Sequence, residues 1–237
     1  MPYTKRNDGR KFDQIREMEA KVGIIKSADG SAMFKIGKTI AIAAVHGPRD
    51  LYPKFMQNPR KGILRCNYNM MSFSVDERIR PGPSRRSKEI SLVTENALLP
   101  ALSLEQFPNA VVDVFIEIQQ AYAGTRCAGI CAASMALADA GIPMKDLICA
   151  ISVGRVGGKI LVDLDKFEED YEEGSTDMPV AMFPRKGEIS LLQLDGHIKP
   201  EEIEEALELA KKCCQKILQV QRDALKEKYE GEYVQDE

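Results

Sequence analysis

Tryptophan is absent from the chain, and histidine occurs only twice, at His46 and His197. With so few imidazoles, a mechanism built on a histidine pair or a histidine-rich metal centre is disfavoured, and we expect both histidines to be structural. The six cysteines show no C-x-x-C spacing, so a zinc framework is not indicated. We expect these cysteines to be reduced and mostly buried.

Long apolar runs are also missing. No segment approaches the roughly 18 to 20 consecutive apolar residues of a membrane span, and residues 1–16 are charged, unlike a signal peptide. These features predict a soluble, cytoplasmic protein with no membrane partner. Glycine-rich loops of the G-x-G-x-x-G or G-x-x-x-x-G-K-[ST] type are absent too, so a doubly wound dinucleotide fold and a nucleotide cofactor are not indicated.

The chain has 237 residues, of which 44% are hydrophobic, enough for one substantial core. We expect one domain over residues 1–237, with a flexible polar tail at about 228–237. Short apolar runs broken by turn residues alternate with helical patterns, and this happens twice along the chain. The pattern predicts an α+β fold with two similar β/α halves packed through their helices.

Several elements are predicted individually from turn residues and apolar spacing. The hairpins are expected between Glu17 and Val45, in Leu147–Val162 and in Val180–Leu194; the helices after Ser84, over Cys127–Ala140 and from Pro200; and a long surface loop over Gly47–Gly62. Long loops in compact domains are commonly functional or mobile.

The net charge of −3 argues against bulk attraction to nucleic acid, but the charge is uneven. Between residues 54 and 88 nine basic residues face only two acidic ones, Asp76 and Glu77; the basic ones are Lys54, Arg60, Lys61, Arg65, Arg78, Arg80, Arg85, Arg86 and Lys88. A solvated basic face and a surface that binds phosphates are both consistent with this cluster.

Two segments predict phosphate binding. At Gly124-Thr125-Arg126, Thr125 can cap the next helix, Gly124 lets the backbone approach a ligand, and Arg126 can bind two phosphate oxygens. Arg85 and Arg86 stand at a helix entrance, where the positive helix end disfavours cations unless an anion joins them. The alternatives are an ordinary cap with a surface arginine and a solvated basic face.

Asp177 lies between an acidic loop and an apolar strand, where it is either a turn residue or the acid of a site. Asp163 and Asp165 alternate at a strand end and are candidates for holding Mg²⁺ through carboxylates and substrate oxygens. If inorganic phosphate is the nucleophile, no histidine base is needed, and the protein must neutralise charge and align the attack. Asp177 is then the candidate general acid or Mg²⁺ ligand.

The order and spacing of several short motifs resemble the RNase PH family, and most closely the catalytic RNase PH-like subunits of the archaeal exosome. The resemblance covers nearly the whole chain. It rests on Asp8-Gly9-Arg10 with Arg16, Ala28–Ala32, Gly47-Pro48-Arg49, Phe73–Arg78, Pro83-Ser84-Arg85-Arg86, Gly124-Thr125-Arg126, Ala136–Pro143 and Asp177-Met178-Pro179.

The resemblance implies a 3′→5′ exoribonuclease that uses phosphate to release nucleoside diphosphates from single-stranded RNA, and that can run in reverse to add tails. It implies that Arg86 and the Gly124-Thr125-Arg126 turn bind phosphate, that Arg85 binds RNA, and that Asp177 is the catalytic acid or Mg²⁺ ligand. It further implies a hexameric ring with an inactive RNase PH-like partner, RNA-binding cap subunits, and a channel neck where Lys54, Arg60 and Lys61 grip RNA.

The chain departs from the family pattern at two positions. Bacterial RNase PH and polynucleotide phosphorylase carry a second Asp six positions before the Asp177 equivalent, whereas this chain has Tyr171 there and Asp170 one position further back. Pro179 replaces a polar residue found in those relatives. A metal shell copied from them is therefore doubtful.

Three other functions stay open at this stage. The first is tRNA 3′-trimming by a homohexameric RNase PH, and the second is a ring scaffold that binds RNA without activity. The third is a small-molecule kinase or phosphatase on a related fold, for which no ATP loop or nucleophile motif is visible. Because ring formation is expected to complete the site, we expect weak or no activity from the isolated chain.

Overall fold

A computed structural model of the chain describes residues 3–171 and 174–232. The strands are β1 (Met18–Val22), β2 (Gly30–Ile36), β3 (Thr39–Asp50), β4 (Ile63–Met70), β5 (Ala110–Gln120), β6 (Cys149–Val156), β7 (Lys159–Val162), β8 (Ser175–Phe183) and β9 (Glu188–Leu192). The α-helices are α1 (Arg85–Leu98), α2 (Thr125–Asp139), α3 (Lys166–Glu169) and α4 (Pro200–Glu232). None of the helices in the two described ranges combines the length and apolar character that a bilayer crossing requires.

The strands form two sheets, one in each half of the chain. The first has the order β1-β2-β3-β5-β4, with β4 parallel to β5 and the other pairs antiparallel. The second has the order β7-β6-β8-β9 and is antiparallel throughout. The predicted α+β class with two β/α halves is confirmed.

Helix α2 lies between the two sheets and contacts strands of both. Thirteen of its fifteen residues are buried, which small side chains such as Ala132 and Ala133 permit because they let sheets approach closely. Gly129 is one reason for this close approach, since an added Cβ there would lie 3.1 Å from Cγ2 of Ile116. One continuous apolar core therefore joins both halves around α2.

Helix α4 packs against the second sheet, β1 and α2 through an apolar face that comprises Ile203, Leu207, Ala210, Cys214 and Ile217. The one polar residue on that face, Gln221, is fully buried. Its Nε2 donates to the carbonyls of Cys131 (3.3 Å) and Ile148 (3.1 Å), and its Oε1 accepts from Sγ of Cys149 (3.1 Å). We predicted a flexible tail at about 228–237. Its first residues belong to α4, which continues to Glu232, and residues 233–237 lie outside the described ranges.

The predicted surface loop over Gly47–Gly62 is wrong in its first part, because β3 continues to Asp50. Arg49 and Asp50 pair with Val111 and Ala110 of β5, after a register shift that follows His46. Pro48 has no N–H to donate to a ladder, and it is tolerated because it falls within that irregularity. The irregular loop is therefore 51–62, interrupted by a 3₁₀ turn at Lys54–Met56.

Candidate active site

A cavity of about 930 Å³ opens at the N-terminal end of α2 and is lined by residues of both halves. Five of the predicted site residues line it: Arg86, Gly124, Thr125, Arg126 and Asp177. The structure therefore brings the predicted phosphate-binding groups and the predicted acid together. Neither histidine lines this cavity.

Arg85 and Arg86 are the first two residues of α1, as the sequence predicts. The Ser84 hydroxyl caps the helix by accepting from the backbone N–H of Ser87, and the Ser87 hydroxyl in turn accepts from the backbone N–H of Ser84. Both arginines are exposed, but only Arg86 lines the cavity. Successive residues of a helix project in different directions, so Arg86 can line the cavity while its neighbour Arg85 lies outside it.

The Gly124 turn precedes α2 with a left-handed backbone, at φ 66°, which glycine adopts without strain. The prediction that Thr125 caps α2 is wrong, because Gly124 is the N-cap residue and no side chain caps this helix end. The hydroxyl of Thr125 instead accepts a hydrogen bond from the Tyr68 hydroxyl at 3.0 Å. The N-terminus of α2, which no side chain caps, therefore faces the cavity. The helix dipole makes this end positive, which favours an anion there.

Asp177 is near the start of β8 and is held on two sides. Its backbone exchanges two hydrogen bonds with Asp195, at 2.8 and 2.9 Å, and its Oδ1 accepts a hydrogen bond from the Ser152 hydroxyl. Burial raises the pKa of Asp177, while the Ser152 hydrogen bond and the nearby Arg126 charge oppose that shift. The net shift is upward, so this carboxyl holds its proton to a higher pH than an exposed aspartate does.

Glu169 is a second carboxylate of the cavity, and its position there was not predicted from the sequence. Its Oε1 lies 3.4 Å from the backbone nitrogen of Gly124, which donates to it. Burial raises the pKa of Glu169 to about 7, and the neighbouring Asp177 charge acts in the same direction. Its neighbour Asp170, considered for this role from the sequence, also lines the cavity, but it is exposed and pairs with Lys166 at 2.7 Å.

The cavity is also lined by three residues that were not predicted from the sequence, Ser152, Glu89 and Gln193. They come from β6, from the second turn of α1 and from the segment after β9. No local motif marks them, since their position depends on how the two halves pack. Tyr171, the residue six positions before Asp177, packs edge-on against Tyr3, with ring centroids 5.5 Å apart.

The proposed Mg²⁺-binding role of Asp163 and Asp165 is wrong, because both carboxylates are buried and have protein partners. Asp163 accepts hydrogen bonds from Arg16, and Oδ1 of Asp165 accepts from the backbone N–H of Glu168 in a helix cap. Within 3–171 and 174–232, no cluster of three or more His, Cys, Asp or Glu side chains could hold a metal. A cation bound through Asp177 would take its remaining ligands from phosphate, RNA and water, as Mg²⁺ commonly does.

Lys54, Arg60 and Lys61 are exposed on the 51–62 loop, away from the cavity. The loop is tied to the start of β5, since the N–H of Leu51 donates to the carbonyl of Asn109 at 3.1 Å. The cavity residues Ala121 and Ala123 follow the other end of β5, and a strand of this length spans roughly 33 Å. The basic loop and the candidate site therefore lie at opposite ends of one strand.

Two family models match the chain, one on each half. The model of the 3′ exoribonuclease family, domain 1, matches residues 14–143, and that of domain 2 matches residues 146–213. The chain belongs to the RNase PH family of 3′ exoribonucleases. The first model covers the first sheet with α1 and α2, and the second covers the second sheet and part of α4.

Two archaeal relatives are similar to this chain over almost their whole length. Exosome complex component Rrp41 of Pyrococcus furiosus is 55% identical over 225 residues, covering 95% of this chain and 89% of that protein. The protein of the same name from Methanopyrus kandleri is 51% identical over 227 residues, covering 96% of this chain and 94% of that protein. This similarity confirms the predicted membership of the family.

Two solved structures share the RNase PH fold. Rice Rrp46 matches with a TM-score of 0.83 at 24% identity, over 93% of this chain and 100% of that one. An Archaeoglobus fulgidus exosome structure with RNA bound to the active site matches with a TM-score of 0.76 at 24% identity, over 90% of this chain and 91% of that one. At these identities the similarity concerns the fold.

Proposed function

We propose that the chain is the catalytic RNase PH-like subunit of an archaeal exosome. It degrades single-stranded RNA from the 3′ end with inorganic phosphate as co-substrate and releases nucleoside diphosphates. The observation that carries the proposal is the shared cavity of Arg86, the Gly124-Thr125-Arg126 turn and Asp177. The similarity to archaeal Rrp41 proteins supports it.

The chemistry needs little covalent help from the protein. A phosphate oxygen attacks the last phosphodiester phosphorus of the RNA, the bond from phosphorus to the 3′ oxygen breaks, and that oxygen takes a proton. Arg86, Arg126 and the end of α2 hold and neutralise the attacking phosphate. Asp177, whose pKa is raised by burial, supplies the proton to the leaving oxygen. The reverse path extends RNA 3′ ends from nucleoside diphosphates.

We propose Mg²⁺ as the cation of this site, with Asp177 as its protein ligand. When bound, the ion neutralises negative charge on the phosphate oxygens. Asp177 suits this role because it lies beside Arg86 and Arg126, where phosphate oxygens can complete the coordination. The acid and ligand roles of Asp177 are alternatives, and a comparison of Mg²⁺ binding by wild type and by Asp177→Asn, measured without turnover, separates them.

The proposed partners are single-stranded RNA, an inactive RNase PH-like subunit that alternates with this chain in a hexameric ring, and RNA-binding cap subunits. Exposed Lys54, Arg60 and Lys61 would hold the RNA upstream, about one strand length from the site. Activity is expected to be weak for the isolated chain and to rise in the ring. The cytoplasmic location remains a prediction.

The test combines uniformly labelled single-stranded RNA, Mg²⁺ and phosphate with the chain, alone and assembled with its ring partner, and resolves the released nucleotides. The proposal expects nucleoside diphosphates that require added phosphate and are lost in Asp177→Asn. Monophosphates formed without phosphate would mean hydrolysis. No product from the assembled wild type would identify a scaffold subunit, provided that RNA binding is retained.

A further inference from the structure

The guanidinium of Arg126 is held by two side chains from different elements. Its Nη1 donates a hydrogen bond to Oε1 of Gln193, and its Nη2 lies 3.6 Å from Oε1 of Glu89. Nε2 of Gln193 donates to the same Glu89 oxygen at 3.2 Å. Each of the three side chains therefore contacts the other two. This triangle of Arg126, Gln193 and Glu89 joins the start of α2, the segment after β9 and α1.

This triangle fixes the plane of the guanidinium. A planar fork with five donors binds phosphate well only when its plane is aligned with the phosphate oxygens, and contacts at both Nη atoms set that plane. The Arg126 side chain is 18% exposed, and its Nε is buried with no hydrogen-bond partner among the described residues. Its orientation thus depends on the two Nη contacts.

The segment that carries Gln193 also contacts the candidate acid. The backbone N–H of Gln193 donates at 3.1 Å to the carbonyl of Pro179, which lies two residues after Asp177 on β8. Asp195 exchanges two backbone hydrogen bonds with Asp177. Residues 193–195 therefore connect Asp177, through the backbone, with Arg126, through the Gln193 side chain.

We propose that Gln193 is a positioning residue that fixes the phosphate-binding fork of Arg126 relative to Asp177. Glu89 assists by binding both partners of the contact. The proposal rests on the proposed function, because it assigns Arg126 to phosphate. Gln193 belongs to the second half of the chain and Arg126 to the first, so the phosphate site is complete only when both halves are docked.

The decisive variant is Gln193→Met, which keeps the length of the side chain and removes its hydrogen bonds. At saturating RNA, the Michaelis constant for phosphate is expected to rise about tenfold, with a smaller change in kcat, because an oriented charge-assisted contact is lost. RNA affinity, measured without phosphate, is expected to stay at the wild-type value. If Gln193 had only a structural role, the Michaelis constant for phosphate and the RNA affinity would change together.

A charge-neutral exchange provides the rescue. In Gln193→Glu with Glu89→Gln, a carboxylate at 193 can accept hydrogen bonds from Arg126 and from the amide introduced at 89, with no change in net charge. This double variant is expected to restore the phosphate constant to within about threefold of wild type. Gln219→Met on α4, an exposed glutamine that bonds to Asp223, is the matched control and leaves both constants unchanged.

The outcomes distinguish this proposal from the proposed function. If wild type requires phosphate but Gln193→Met keeps its phosphate constant, the positioning role is wrong and the function stands. If RNA affinity falls as much as phosphate use, Gln193 contacts RNA instead, which also overturns the proposal. If wild type releases no diphosphates at all, the proposed function itself fails.

Discussion

Arg16 and Asp163 form a buried ion pair with two parallel hydrogen bonds, from Nε to Oδ2 at 2.8 Å and from Nη2 to Oδ1 at 2.6 Å. The Arg16 and Asp163 side chains are 7% and 2% exposed. The remaining Nη1 of Arg16 donates to the Tyr122 carbonyl at 2.6 Å. The pair thus links the N-terminal segment to the backbone just before the Gly124 turn.

Asp163→Asn is expected to lower the free energy of unfolding by about 3 kcal/mol, because it leaves the Arg16 charge buried without its counter-charge. Asp163 has a left-handed φ of 56°, which asparagine also accepts, so the variant tests charge rather than backbone strain. Urea unfolding measures the change. Asp113→Asn, which breaks the more exposed pair with Arg65, is the control and should cost less than about 1 kcal/mol. Equal losses in the two variants would contradict the prediction.

Arg86→Met and Arg85→Met are expected to separate phosphate use from RNA binding. Arg86 lines the cavity, so its loss should raise the Michaelis constant for phosphate by roughly ten- to a hundredfold, since it removes charge-assisted hydrogen bonds. Arg85 lies outside the cavity, so its loss should weaken RNA binding and leave the phosphate constant unchanged. Steady-state kinetics and RNA titrations measure both. The reverse pattern would mean that the two roles are exchanged.

The 51–62 loop is expected to contribute to RNA affinity through charge alone. Replacing Lys54, Arg60 and Lys61 by methionine should reduce the slope of log affinity against log salt by about two, because each phosphate contact on a single strand contributes roughly 0.7. The control replaces three exposed lysines of α4, Lys211, Lys212 and Lys216. A similar change of slope in the control would show a general charge effect.

Glu169→Gln is expected to change how stability depends on pH. The raised pKa of Glu169, about 7 against an ordinary 4.5, means that the native state keeps a proton between these values that the unfolded state has lost. The free energy of unfolding of wild type therefore falls as pH rises through this window. Glutamine lacks this titration, so the variant should gain stability relative to wild type from about pH 5 to 7 and level off above.

Urea unfolding at several pH values between 5 and 8 measures that difference. Asp170→Asn serves as the matched control, because it removes a carboxylate at the next, exposed position. A constant difference between Glu169→Gln and wild type at all pH values would contradict the prediction.

The parts of the site that depend on local sequence signals were predictable. Ser84 and the proline-rich lead-in indicate where α1 begins, and this placed Arg86 correctly at the helix entrance. Gly124 similarly indicates the turn before α2. Thr125 was misassigned because glycine already satisfies the geometry of the N-cap, and the threonine hydroxyl found a partner in Tyr68.

The parts that depend on packing between the halves were not predictable. Gln193 meets Arg126 across 67 positions of sequence. Asp163 was taken for a metal ligand because its partner Arg16 lies 147 positions away. A single sequence carries no signal for such pairs, since they arise only when two sheets pack on one helix.

The buried amide of Gln221 gives α4 a single permitted axial position. A shift of the helix by one turn, about 5.4 Å, would still bury apolar side chains but would separate the amide from all three of its partners. Buried polar groups without partners are costly, so sliding is penalised even where the apolar surface would tolerate it. The hydrogen bonds of Gln221 therefore favour one alignment of the last helix against β6 and α2 over alignments shifted along the helix axis.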